Sequence, residues 1–113
     1  MSETACVFCK IVEGEIPAER IAETDEVLVI SDINPQAPHH YLAFPKQHIE
    51  VFSKVPGVAR SLFECIEAAV KKRDLESLGG FRIVMNLGKA AGQEVEHIHF
   101  HLLAGRPFQW PPG

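Results

Sequence analysis

The sequence lacks the features that would place it in a membrane, outside a cell or on a nucleic acid. No apolar run approaches the roughly 20 residues that a membrane span needs. Cysteine occurs three times, at 6, 9 and 65, too few and too odd a number for a disulfide scaffold. There is no basic surplus: 11 Lys and Arg stand against 15 Asp and Glu, a net charge of −4, which excludes the phosphate-neutralising surface of a general nucleic-acid binder. Residues 1–5 lack the basic start and apolar stretch of a secretory signal, and neither end carries a lipidation signal. A cytoplasmic protein with reduced thiols is therefore expected. Repeats, low-complexity tracts and linkers are also missing, so 113 residues with 46% apolar content are expected to form one domain, 1–113, around a modest core.

Apolar spacing then sets out the elements. Val7, Phe8, Ile11 and Val12 repeat at helical intervals, and Gly14 and Pro17 stop that short helix. Residues 20–22 and 27–31 read as strands around the turn 23–26, and the continuous run Val27-Leu28-Val29-Ile30 suits a central strand. Residues 32–38 form a turn-rich loop with two prolines, and 40–44 a third strand ended by Pro45. Apolar positions 58, 62, 66, 69 and 70 make one stripe of an amphipathic helix, with Cys65 beside it as a packing residue. Gly79-Gly80 is the expected stop of that helix. Residues 81–86 and 97–103 alternate as strands. The order of elements predicts an α+β fold with mostly antiparallel pairing.

The sharpest chemical signal is His97-Ile98-His99-Phe100-His101. With six histidines in 113 residues, chance gives on the order of 0.02 such alternating triplets. On a strand the three imidazoles leave one face, while Ile98, Phe100 and Leu102 enter the core from the other. A solvated strand face that happens to use histidine is the plain alternative. Clustered imidazoles otherwise bind a transition metal, or one acts as a nucleophile while a neighbour handles the leaving-group proton.

A second constellation is Cys6-Val7-Phe8-Cys9. Five preceding residues cannot supply the strand of a thioredoxin-like redox motif. Two thiolates one helical turn apart fit half of a zinc site completed by two histidines, and two ordinary helix cysteines are the alternative.

The run from His97 to Leu103 resembles the signature of the histidine-triad family, three histidines separated by single apolar residues and followed by two more. The likeness extends through Phe8-Cys9-Lys10-Ile11, Glu15-Ile16-Pro17, Asp32-Ile33-Asn34-Pro35-Gln36-Ala37-Pro38, Pro45-Lys46 and Gly92-Gln93-Glu94-Val95. The ending Trp110-Pro111-Pro112-Gly113, after Gly105-Arg106, is similar to the Hint branch. The resemblance implies a five-stranded sheet with two helices and a homodimer joining two such sheets into ten strands. It implies that His99 attacks the α-phosphorus of a nucleotide, that the carbonyl of His97 holds the other nitrogen of His99, and that His101 and His40 serve the phosphate and leaving group. Asp32 would bind the ribose, and Asn86, Glu94 and Val95 would contact phosphate. Val7, Phe8, Ile11, Ile16, Ile30, Ile33 and Leu42 would form the base pocket. Glu94 stands where animal members carry serine, which leaves its backbone N–H as the expected contact, since an ionised carboxylate cannot donate. A structural zinc would be held by Cys6, Cys9, His48 and His97, with no organic cofactor.

The expected activity is cleavage of purine nucleoside 5′-phosphoramidates or related nucleotide conjugates through a nucleotidyl-histidine, with no nucleic-acid or membrane partner. Three alternatives stand beside it: a dinucleotide polyphosphate hydrolase, a nucleotide-binding regulatory or scaffold protein with little turnover, and a structural zinc module. The homodimer has independent support in the small core, an unpartnered edge at 81–86 and the apolar tail around Trp110.

Overall fold

The computed structural model describes residues 5–113. Five strands form one antiparallel sheet: β1 Arg20–Glu23, β2 Val27–Ser31, β3 His39–Pro45, β4 Phe81–Met85 and β5 Phe100–Ala104, in the spatial order β1-β2-β3-β5-β4. Two α-helices, α1 Val7–Val12 and α2 Ala59–Lys72, lie on opposite faces of the sheet. Short 3₁₀ turns at Phe52–Gly57, Leu75–Leu78 and Lys89–Ala91 complete the connections.

Coverage of both faces explains the apolar run of β2. Val27 and Val29 pack on one side with Leu62, Cys65, Ile66, Ala69 and Val70 of α2. Leu28 and Ile30 point the other way, onto Phe8 and Ile11 of α1. β3 divides likewise, with Tyr41 and Ala43 toward α2 and Leu42 and Phe44 toward α1. A strand buried on both faces has no reason to alternate polar and apolar residues.

The two helices are stabilised differently. α2 buries one stripe, carries Arg60–Glu64 and Glu67–Lys71 ion pairs on its outer face, and ends on Lys71 and Lys72, which suit the negative end of its dipole. Its end differs from the expected glycine stop. α2 finishes at Lys72, Asp74 takes a left-handed conformation at φ 50°, and Gly79 at φ 95° closes the following 3₁₀ turn instead. α1 spans only six residues, too few to persist alone in water. Its docking rests on Phe8 and Ile11, with Phe8 stacked on Phe44 at 4.5 Å between ring centroids. A helix this short covers part of its sheet face and leaves the rest open as a cavity.

The histidine run also starts its strand later than the alternation implies. β5 begins at Phe100, and the backbone before it is held by bonds from the Ile98 N–H to the Ile49 carbonyl at 2.8 Å and from the His97 N–H to the Val95 carbonyl at 2.9 Å. The alternation persists through the irregular stretch: Ile98, Phe100 and Leu102 enter the α2-side core. The opposite face is not a solvated one. His97 and His99 are buried there beneath α1, His97 with none of its surface exposed.

Candidate active site and metal centre

A cavity of about 650 Å³ opens on the sheet face that α1 leaves uncovered. All eleven residues that the sequence suggested for a nucleotide line it. Val7, Phe8 and Ile11 come from α1, Ile16 from the turn after it, Ile30 from β2 and Leu42 from β3. Asp32 and Ile33 follow β2, Asn86 follows β4, and Glu94 and Val95 precede the histidine run. The apolar members do not contribute equally. Phe8 and Ile11 are core residues that show one side to the cavity, whereas Ile33 stands 98% exposed at its rim. Pro17, Asn34 and Gln36, which belong to the motifs above but carry no expected role, also line it, as do Ser31 and Ala18, which no motif picks out.

His40, His99 and His101 face the same cavity, while His97 lies behind it. Hydrogen bonds define the role of each ring nitrogen. His99 Nδ1 lies 2.7 Å from the carbonyl oxygen of His97, which can only accept, so Nδ1 carries the proton and Nε2 a free lone pair. The backbone N–H of Gln36 donates to His40 Nδ1 at 3.0 Å, so His40 carries its proton on Nε2. That Nε2–H meets His101 Nδ1 at 2.9 Å, with Asp32 Oδ2 at 3.3 Å. His101 is then protonated on Nε2. Sheet register makes the pair possible: His40 lies opposite Leu103 and His101 opposite Leu42, so the two histidines are diagonal neighbours on one face.

Burial sets the charge state. It holds the imidazoles of His40 and His99 below the ordinary histidine value, although the Asp32 carboxylate favours the charged form of both. His101 is pushed down to about 4, first by burial and then by the neighbouring His99 and His40. At neutral pH the cluster is therefore a set of uncharged imidazoles with fixed tautomers, one presenting a lone pair and one an N–H.

The loop before the triad is more closed than its glycines suggest. The N–H groups of Ala91, Gly92 and Gln93 are taken by carbonyls of Gly88 and Lys89, and that of Gly88 by the Gln93 side chain at 2.8 Å. The N–H groups of Lys89, Ala90, Glu94 and Val95 are not used inside the loop, and of these four residues Glu94 and Val95 line the cavity. Gln93 Nε2 also donates to the Val95 carbonyl at 3.0 Å, joining the two ends of the loop.

Behind the cavity, Cys6, Cys9, His48 and His97 bring one ligand atom each within 4.8 Å of one another. Cys6 Sγ lies 3.3 Å from His97 Nδ1, Cys9 Sγ 3.3 Å from His48 Nδ1 and 3.7 Å from His97 Nδ1. Tetrahedral zinc with ordinary Zn–S and Zn–N bonds sets its S and N ligands about 3.6 Å apart, so the spacing fits. The outer nitrogens are occupied as well. His97 Nε2 donates to the Pro45 carbonyl at 2.7 Å, and His48 Nε2 to Glu50 Oε2 at 2.7 Å. Both imidazoles therefore direct an Nδ1 lone pair at the sulfurs, the arrangement that second-shell acceptors impose on metal-binding histidines. Glu50, two residues beyond His48, is a partner that alternation along the chain could have suggested.

A profile of the HIT domain family matches residues 13–108. The chain belongs to the HIT family. A histidine triad protein from Clostridium difficile superimposes with a TM-score of 0.87 at 37% identity, covering 96% of this chain and 97% of that one. A HIT family hydrolase from Legionella pneumophila gives a TM-score of 0.82 at 45% identity, over 96% and 99% of the two chains. The 14 kDa zinc-binding protein of Zea mays is 37% identical over the whole of this chain and 91% of its own length. The α+β sheet described above is thus the HIT fold, and among the described residues no helix is long and apolar enough to cross a membrane.

Proposed function

We propose that this HIT protein is a Hint-like hydrolase or transferase that cleaves purine nucleoside 5′-phosphoramidates and related nucleotide conjugates at the α-phosphorus. The observation that carries the reading is the His99 imidazole, held by the His97 carbonyl at Nδ1 and facing a cavity lined by both apolar and polar side chains. The apolar side chains suit a base, with contact area but little hydrogen-bond readout of its edge. Among the polar ones, Asp32 Oδ1 accepts the N–H of Asn34 at 2.8 Å, which orients the carboxylate for the sugar hydroxyls. The N–H groups of Glu94 and Val95, with Asn86, serve the phosphate.

In the first step the His99 Nε2 lone pair forms a bond to phosphorus as the bond to the departing amine breaks. The amine takes a proton from the His40–His101 pair, whose hydrogen bond lets the two rings share one added proton. Burial makes that protonated form scarce, and the negative charge of the phosphate counteracts burial when substrate is bound. In the second step water attacks phosphorus, the P–Nε2 bond breaks, and His99 regains its lone pair while the pair recovers its proton. Hydrolysis of adenosine 5′-phosphoramidate with release of AMP tests the reading. Rapid quenching should trap an acid-labile nucleotidyl group in the wild-type protein, and His99→Ala should abolish turnover while AMP affinity stays within about tenfold. Full activity in His99→Ala would falsify the assignment of the nucleophile.

The four Cys and His ligands would hold one structural zinc, a closed site with no open position for phosphorus chemistry. It would tie α1 to the segment carrying the triad. A homodimer is part of the same reading. β4 is an edge strand with Phe81 and Ile83 respectively 38% and 37% exposed, and Trp110 on the tail is 85% exposed. Such an edge favours pairing with a second copy.

A further inference from the structure

The C-terminal segment after β5 is fastened to the loop that orients His40. Gly105, at φ 99°, leaves no room for a side chain, since a Cβ there would sit 2.8 Å from Pro38 Cβ. The next residue, Arg106, donates from Nε to the carbonyl of Gln36 at 3.1 Å. Its guanidinium is held in place by a bond from Nη1 to the Pro107 carbonyl and by the Phe108 ring, whose centroid lies 4.4 Å away. Gln36 is the residue whose N–H fixes the tautomer of His40, and His40 in turn addresses His101. From within the loop, Gln36 is restrained only by its own side chain, which donates to the Asn34 carbonyl at 3.1 Å.

We propose that Arg106 is a positioning residue for the histidine pair: by anchoring the Gln36 carbonyl it holds the Gln36 N–H on His40 Nδ1, and so directs the His40 Nε2–H toward His101. The route is short and contiguous: Arg106 Nε, the Gln36 carbonyl, the Gln36 N–H, His40, His101. Arginine suits the position because its flat cation can stack on Phe108 and donate from its edge at once, which a lysine ammonium cannot do. The structural part stands on these contacts alone, and only its kinetic consequence rests on the proposed hydrolysis.

Two measurements test it on the full-length protein. Imidazole ¹⁵N spectra should show His40 protonated at Nε2 and bare at Nδ1 in the wild type. In Arg106→Ala the same ring should show mixed tautomers or an Nδ1 proton. With adenosine 5′-phosphoramidate, Arg106→Ala should lower kcat about tenfold, a fraction of what a general acid contributes, while KM stays within about twofold. Arg106→Lys should restore little of it. Arg82→Ala removes the other guanidinium on the Phe108 ring, 4.9 Å from its centroid, without touching Gln36, and should leave both readouts unchanged. Gly105→Ala, which pushes the segment off Pro38, should reproduce the tautomer change. A wild-type His40 protonated at Nδ1 overturns the proposal, and so does an Arg106→Ala protein with His40 unaltered. A tautomer shift in Arg106→Ala, found together with wild-type protein that hydrolyses no phosphoramidate, refutes the enzymatic reading and supports the positioning role.

Discussion

Truncating Phe8 to alanine tests whether α1 is an integral part of the fold or an appendage over the cavity. Phe8 is almost wholly buried, stacked on Phe44, and its ring centroid lies 5.0 Å from that of His99 and 5.5 Å from that of His97. Removing a buried phenylalanine costs about 3–5 kcal/mol through lost transfer energy and the cavity left behind. Domains of this size hold about 5–15 kcal/mol in all, so the change consumes a large share. Phe8→Leu keeps most of the volume and loses mainly the ring contacts, a cost of about 1–2 kcal/mol. The expected difference between the two variants is therefore about 2 kcal/mol. Urea unfolding followed by far-ultraviolet circular dichroism measures it, provided the slope with denaturant is unchanged. At about 4 °C per kcal/mol for a chain of this length, Phe8→Ala should melt roughly 12–20 °C lower.

Hydrogen exchange locates the loss. The α1 amides that donate at 3.0 Å, Lys10 to Cys6 and Glu13 to Cys9, should lose protection first, before those of β2 and β3. A loss below about 1.5 kcal/mol in Phe8→Ala, with the slope unchanged, would mean that α1 does not unfold with the sheet. The account of the cavity as the open remainder of a helix-covered face would then be wrong.

Four further outcomes follow from the same structure. The acid limb of kcat/KM should have an apparent pKa below 6.5, because His99 must be uncharged to attack and burial lowers its pKa; a limb centred above pH 7 contradicts this. His101 titrates near 4 when folded against 6.5 when unfolded, so between these values the unfolded chain binds more protons, and unfolding free energy should rise from pH 4 to 6.5 and then level off. Cys6→Ser combined with Cys9→Ser should remove close to one zinc per chain by elemental analysis and lower the melting temperature; a metal content unchanged in the double variant places the ion elsewhere. Sedimentation should give a dimer at micromolar concentration, and a species of 12.5 kDa there removes the case for β4 pairing.

Much of this architecture is legible in the sequence wherever a side-chain pattern reports burial. Val27–Ile30 reads as an interior strand because both of its faces are covered, and the period-two histidines mark a polar face opposite a core face. The end of α2 is not legible, because Asp74 takes the left-handed turn five residues before the glycines that would advertise it. The state of the imidazoles is hidden for a different reason. The Gln36 N–H, the His97 carbonyl and the Pro45 carbonyl decide which nitrogen of each ring carries the proton, and main-chain groups such as these leave no mark in composition or spacing. The likeness to histidine-triad proteins supplied those expectations that spacing could not, notably the pairing of His48 and His97 with the two cysteines.

His97 joins the two halves of the molecule's chemistry. Its ring addresses Cys6 and Cys9 through Nδ1, and its carbonyl, on the opposite side of the same residue, receives the His99 proton. The bond from the His97 N–H to the Val95 carbonyl at 2.9 Å adds the loop to the same junction. With the Nε2 bond to the Pro45 carbonyl, four attachments on one residue leave its peptide little freedom, so the direction of the His99 lone pair depends on the side chain of His97 as well as on its backbone. A variant that keeps a hydrogen-bonding side chain but cannot ligate as imidazole does, His97→Asn, should therefore disturb both sites together. It should lower metal content and turnover in parallel, with the His99 ¹⁵N signals losing their single-tautomer pattern. Loss of metal with the His99 tautomer and turnover intact would mean that the carbonyl alone suffices, and that the cysteine cluster and the triad are neighbours without mechanical connection.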